Sequence, residues 1–138
     1  MKNKKFKFLE HTADIKFRAY GESLNEIFEN CALAVSNYLS RTKKIKNKNK
    51  KIIKLKGEDN ESLLYDFLDE LIYLLDAKNF VVSKAKVKIK DNSLEAEIFG
   101  DSVSNYKDLD YIKAATYSEM YIKRKKDKTW EAQVVLDV

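Results

Sequence analysis

Two stretches of this chain repeat apolar residues at intervals of three and four, while most of the rest alternates at intervals of two. Leu24, Ile27, Phe28, Cys31, Val35 and Tyr38 form the first set; Leu64, Phe67, Leu68, Leu71, Ile72 and Leu75 form the second. Each set falls along one side of a helix, so each helix has one face to bury. Ser23-Leu24-Asn25-Glu26 is a capping-box pattern that starts the first helix, which runs to about Leu39. After Gly57, Asp59 or Asn60 can cap the second, which runs to about Asp76 and carries Asp66, Asp69 and Glu70 on its polar side. Cys31 sits in the apolar stripe and reads as an inert core thiol.

The remaining segments read as strands. Lys4 to Phe8 is one, and Asp14 to Tyr20 another, with Ile15, Phe17 and Ala19 set against Lys16, Arg18 and Tyr20 until Gly21 breaks the pattern. A strand from Lys51 to Lys56 follows the first helix. Phe80 to Ile89 and Leu94 to Gly100 form a hairpin around Asp91-Asn92. A long strand is expected from Ile112 to Lys123, a turn at 125–128, and a last strand from Thr129 to Val138 with Trp130, Ala132, Val134 and Leu136 on one face. Two short helices, many strands and no internal repeat or linker predict one compact α+β domain over 1–138. Its two amphipathic helices would pack on a mixed or mainly antiparallel sheet.

The chain has 138 residues, 44% of them hydrophobic, enough for one core. No apolar segment approaches the roughly 18 residues of a membrane span. The basic start lacks the apolar run of a secretory signal, and a single cysteine allows neither an internal disulfide nor a cysteine-type zinc site. These features predict a cytoplasmic protein. Net charge of +5 suits an RNA or ribonucleoprotein partner, and equally suits a lysine-rich protein with no such role. Basic residues crowd positions 41–51, where Lys43, Lys44, Lys46, Lys48, Lys50 and Lys51 surround one apolar residue. Self-repulsion makes this a solvated loop or the ragged start of the strand Lys51 to Lys56; the functional alternative is a phosphate-contacting patch without base readout, since no aromatic is interleaved.

Familiar catalytic parts are missing. There is no phosphate-binding glycine loop, no Gly-x-Ser-x-Gly elbow and no His-Glu-x-x-His pair. His11 is the only histidine, so a stand-alone enzyme is not expected. Two places invite chemistry. His11-Thr12-Ala13-Asp14 precedes a strand, and Leu136-Asp137-Val138 ends another. If the two meet, Asp14, Asp137 and the α-carboxylate form an anionic oxygen cluster, which needs a cation or protonation. An all-oxygen site suits a hard ion.

His11-Thr12-Ala13-Asp14-Ile15, Phe28-Glu29-Asn30, Phe67-Leu68-Asp69-Glu70-Leu71-Ile72, Ile112-Lys113-Ala114-Ala115-Thr116-Tyr117 and Val135-Leu136-Asp137-Val138 together resemble the archeases, in order and over nearly the whole chain. The resemblance implies an archease-like α+β fold with a small inserted subdomain. It also implies an accessory role: activating an RtcB-type tRNA-splicing RNA ligase by promoting its guanylylation and multiple turnover. The resemblance assigns a divalent metal, calcium before magnesium or manganese, to Asp14, Asp137 and Val138. It puts Lys113, with His11, near that site. A monomer or weak homo-oligomer is expected, with possible indirect tRNA contact, direct RNA contact left open, and no membrane. Ser118 stands where many members carry histidine, so no ligand is drawn there. The alternative from another class is a basic RNA-binding or chaperone module using Lys43 to Lys51.

Overall fold

The computed structural model describes residues 4–11 and 13–138; Thr12 of the His-Thr-Ala-Asp run lies outside them. In chain order the elements are β1 (Phe6–Leu9), β2 (Ile15–Gly21), α1 (Leu24–Leu39), β3 (Asn49–Lys56), α2 (Asn60–Lys78), β4 (Phe80–Lys90) and β5 (Ser93–Ser102). A short 3-10 turn at Val103–Asn105 leads to β6 (Ala114–Ala115), β7 (Tyr121–Arg124) and β8 (Trp130–Asp137). Two helices on antiparallel strands confirm the α+β reading. Instead of one sheet there are two: a five-stranded sheet ordered β1-β2-β8-β6 with β7 also on β8, and a three-stranded sheet ordered β3-β5-β4. The second sheet and α2 form one insertion between α1 and β6.

Local chemistry explains the boundaries. The Ser23 side chain accepts from the Glu26 amide at 3.1 Å and starts α1, while Glu26 reaches back to the Glu22 amide. α2 has its own reciprocal cap between Asp59 and Ser62, and it ends two residues later than the periodicity suggests, on Asn79 in the left-handed region at φ 51°. Asp91 and Asn92, at φ 51° and 62°, make the tight turn between β4 and β5. Gly100 is required where β4 bulges between Val82 and Lys84. A Cβ there would lie 2.1 Å from the Val81 carbonyl oxygen and 2.7 Å from the Phe80 ring.

One apolar cluster joins both sheets to both helices. Phe28 of α1 and Phe67 of α2 meet at 5.7 Å between ring centres at its middle. α1 also closes the free edge of β4: Glu29 accepts from the Val87 amide at 2.8 Å, and the Asn25 side chain from the Ile89 amide at 2.9 Å. Two edge donors that could recruit a foreign strand are thus satisfied internally. Burial pushes the Cys31 thiol's pKa up, which keeps it protonated and inert as expected. No helix among the described residues is long and apolar enough to cross a membrane.

Two expectations need correction. The strand drawn from Ile112 to Lys123 is only the two-residue β6 and the four-residue β7, because residues 116–120 fold away as a turn. β8 is not apolar on one face only. It is the central strand, so Glu131, Gln133 and Val135 on its other face are buried along with Ala132, Val134 and Leu136. Glu131 accepts from the Tyr121 hydroxyl and lies 3.7 Å and 3.6 Å from Lys123 and Lys125. Gln133 receives the Arg18 Nε–H at 3.0 Å and donates to the Glu119 carbonyl at 2.8 Å. Each buried polar group is satisfied by the strands beside it.

Candidate functional site at the open end of the five-stranded sheet

The register decides where the two chemical motifs lie. β2 and β8 run antiparallel with Ile15 opposite Leu136, so Asp14 and Asp137 stand one step beyond the last pair, at the same end of the sheet. β6 flanks β8 on the other side, with Ala114 opposite Asp137, and the Lys113 amide donates to the Asp137 carbonyl at 2.8 Å. His11, Asp14, Lys113, Asp137 and Val138 therefore come from three chain segments to one sheet end. The Lys113 side chain is exposed, as is Asp137, while Val138 and Asp14 are partly covered.

A residue not picked out from the sequence organises this end. Glu119 sits in the turn between β6 and β7, in the left-handed region at φ 53°. One of its carboxylate oxygens accepts from Lys16 Nζ at 2.9 Å, and the other lies 3.2 Å from His11 Nε2. These two contacts, Lys16 first, hold the Glu119 carboxyl below the usual glutamate range. The turn is itself pinned to β8, by Thr116 Oγ1 donating to the Val135 carbonyl at 2.7 Å and by Gln133 holding the Glu119 carbonyl. Glu119 was hidden because a continuous strand through 112–123 gives it no special position. The sequence signal that could have found it is its place as the sole acidic residue between Ile112 and Arg124.

His11 bridges two carboxylates. Its Nδ1 lies 4.0 Å from an Asp14 oxygen, too far for a hydrogen bond, and is buried without a partner among the described residues. Among the described residues no three His, Cys, Asp or Glu side chains converge as a cluster able to hold an ion. The oxygen donors at this end are the Asp14 and Asp137 side chains and the main-chain oxygen of Val138. All are hard oxygen donors, and this chemistry fits calcium or magnesium better than zinc. After β6 the Tyr117 ring stacks on Tyr65 of α2, 4.3 Å apart and 7° from parallel, and more than half of Tyr117 stays open to solvent.

The lysine-rich segment is held elsewhere, and by its one apolar residue. Ile45 is buried, its carbonyl accepts from Ser83 Oγ at 2.9 Å, and the Lys46 amide donates to the Tyr106 hydroxyl at 2.8 Å. Tyr106 in turn donates to buried Asp101, whose carboxyl stays below the aspartate range because Tyr106, Ser102 and Asn105 outweigh its desolvation. Lys43, Lys44, Lys46 and Lys48 project outward from this anchored segment. Lys50 pairs with Glu97 at 3.0 Å, and Lys51 turns to the opposite face over the Phe80 ring at 5.5 Å. The segment is thus a solvated loop pinned at Ile45, and its last residues, from Asn49, open β3 as a ragged strand start.

Against known proteins, residues 6–138 match the model of the Archease protein family (MTH1598/TM1083). The chain belongs to the archease family. It is 41% identical to protein archease of Methanosarcina barkeri, over 98% of this chain and 97% of that one. It is likewise 41% identical to protein archease of Pyrococcus furiosus, over 94% and 95%. The solution structure of Methanobacterium thermoautotrophicum protein 1598 superposes with a TM-score of 0.78 at 33% identity, covering 97% of this chain and 99% of that one. The two-sheet arrangement, insertion included, is therefore an archease arrangement, and its open end carries the His11-to-Asp14 run and Asp137.

Proposed function

We propose that this archease is a non-catalytic activator of an RtcB-type tRNA-splicing RNA ligase, acting by promoting the ligase's guanylylation and repeated turnover. The observation that carries the reading is the register of β2 on β8, which puts Asp14 and Asp137 at one exposed sheet end. Asp14, Asp137 and the main-chain oxygen of Val138 would hold a divalent cation, calcium first, with magnesium or manganese as alternatives. Such a cation, when bound, supplies positive charge beside a nucleotide triphosphate.

The chain's own residues do the remaining work. Glu119 and Lys16 fix the His11 ring, which stands against Asp14 and limits how far that carboxylate can turn. Lys113, tied through its amide to Asp137, offers a second cation for phosphate on the adjoining strand. Docked at the mouth of the ligase's active site, this end would orient the triphosphate and lower the barrier to nucleotidyl transfer electrostatically. The protein would act in the cytoplasm, in tRNA splicing, as a monomer or weak homo-oligomer. The test is multiple-turnover guanylylation by the cognate ligase with wild type and with Asp137→Ala. Stimulation by wild type that collapses in the folded variant is the expected result; full stimulation by the variant would overturn the carboxylate mechanism.

A further inference from the structure

The three-stranded sheet turns one face to the core and the other to solvent, and the solvent face has a regular composition. Strand alternation sends Ile53, Leu94, Ala96, Ile98, Ala85 and Val87 inward. The register then aligns the outward residues of β3, β5 and β4 in four rungs: Lys50-Phe99-Lys84, Ile52-Glu97-Lys86, Lys54-Glu95-Lys88 and Lys56-Ser93-Lys90. Seven lysines face two glutamates. Their excess of five equals the formal +5 of the whole chain, so everything outside this face balances to zero. This face is thus one concentrated basic surface, separate from the exposed lysines of positions 43–48.

Little of that charge is neutralised internally. Lys50 pairs with Glu97 at 3.0 Å and Lys54 with Glu95 at 3.7 Å, and Lys84 lies over the Phe99 ring at 5.4 Å. Lys56, Lys86, Lys88 and Lys90 make no ion pair among the described residues. Over the last two rungs lies a shallow groove of about 620 Å³, lined by Lys54, Lys56, Lys88 and Lys90 together with Leu55, Leu94, Ser93 and Glu95. Along β4 the lysines repeat at every second residue, and along β3 they do so except at Ile52; that interval is roughly 6.6 Å, close to the phosphate step of an extended polynucleotide.

We infer that this outer face of the three-stranded sheet, with the lysine-walled groove along it, is a docking surface for single-stranded RNA, held through its phosphates. The reading goes beyond activation of a ligase and does not depend on it, because it concerns another sheet and needs no partner enzyme. Lysine is depleted at protein–protein interfaces and retained where a backbone of phosphates is neutralised, which favours RNA over an acidic protein. A groove between two charged rows also suits a strand better than a lipid plane, which meets the tips of a flat or convex face. Ile52, 55% exposed, gives the bases apolar surface in the second rung, while the Phe99 ring in the first is capped by Lys84. Nothing on the face reads base edges, so binding is independent of sequence and steep in salt.

The experiment titrates a labelled oligouridylate of about twelve nucleotides with the full chain, without any ligase, across a salt series. Wild type is compared with Lys54→Ala/Lys86→Ala/Lys88→Ala and with the charge-matched Lys43→Ala/Lys44→Ala/Lys46→Ala. The expected result is about tenfold weaker binding by the sheet variant at low salt. Its log–log salt slope should be shallower by about 2, at roughly 0.7 for each phosphate no longer neutralised, with the loop variant within about twofold of wild type. Equal losses in both variants would mean that affinity follows net charge alone, and would overturn the surface. So would a loss confined to the loop variant, no binding by wild type, or equally tight capture by phosphatidylserine vesicles or polyglutamate. Should the sheet variant fail to melt cooperatively, photocrosslinking of 4-thiouridine RNA to wild type decides the matter: crosslinks on β3–β5 support the surface, and crosslinks confined elsewhere refute it.

Discussion

The open end of the five-stranded sheet and the outer face of the three-stranded sheet are both charged surfaces, yet they are built in opposite ways. At the open end, His11, Lys16 and Glu119 are brought together across more than a hundred residues of chain, and each contact constrains the next. On the lysine face the charges come from strand alternation within two hairpin-connected strands and their neighbour, and most are independent of one another. The first arrangement can set the angle of a carboxylate; the second can only set a field. Surfaces of the first kind suit a defined ion or reacting group, and those of the second suit a ligand whose charge repeats.

The comparison can be broken first at what the two regions share. Phe28 and Phe67 join α1 to α2 beneath both, so Phe67→Ala should cost about 3–5 kcal/mol and disable both surfaces together. Urea denaturation checks this. A loss below about 1 kcal/mol would show that the two sheets are stabilised separately.

Tyr121 separates them. Burial, then the hydrogen bond to Glu131, raises its hydroxyl to about 12. A tyrosine kept neutral in the fold favours the folded state below the unfolded value near 10, and that contribution is lost as pH rises from there through about 12. Wild type should therefore lose stability over that window more steeply than Tyr121→Phe. The variant should be less stable at neutral pH by about 1–2 kcal/mol, since buried Glu131 loses its donor. Thermal melts at neutral and alkaline pH measure both effects, and parallel pH profiles would show that the hydroxyl is not held neutral by the fold. RNA binding by the lysine face should be unaffected.

The smallest effect sharpens the picture of the open end. Glu119 has a lowered carboxyl pKa, so its contribution is present above the unfolded glutamate value near 4.3 and is lost as pH falls through the lower folded one. Glu119→Gln should flatten the acid limb of the stability profile slightly. Under the proposed function it should reduce ligase stimulation severalfold without abolishing it, because Asp14 and Asp137 remain. Stimulation equal to wild type would mean that the His11 ring does not help position Asp14.

Much of this was legible in the chain. The three/four periodicity located both helices, Ser23 and Asp59 marked their starts, and Asp91-Asn92 marked the hairpin. These are effects of neighbouring residues, which act before any distant contact forms. Asp14 and Asp137 could be named as candidates because each borders a strand, but their meeting could not be read. A strand's partner is chosen by the packing of the whole sheet, and the pattern of one strand fits several registers.

Glu119 was missed for the same reason. So was the burial of Glu131 and Gln133, because whether a strand is central or at an edge is a property of its neighbours. Sequence alone determined the element types, their caps, the family pattern and the net charge. Only the tertiary structure decided that the strands divide into two sheets, that one sheet end gathers His11, Asp14, Glu119 and Asp137, and that seven lysines share one sheet face with two glutamates. Periodicity is local and cheap to encode, whereas register and layer order emerge from apolar burial and hydrogen-bond satisfaction summed over the entire molecule.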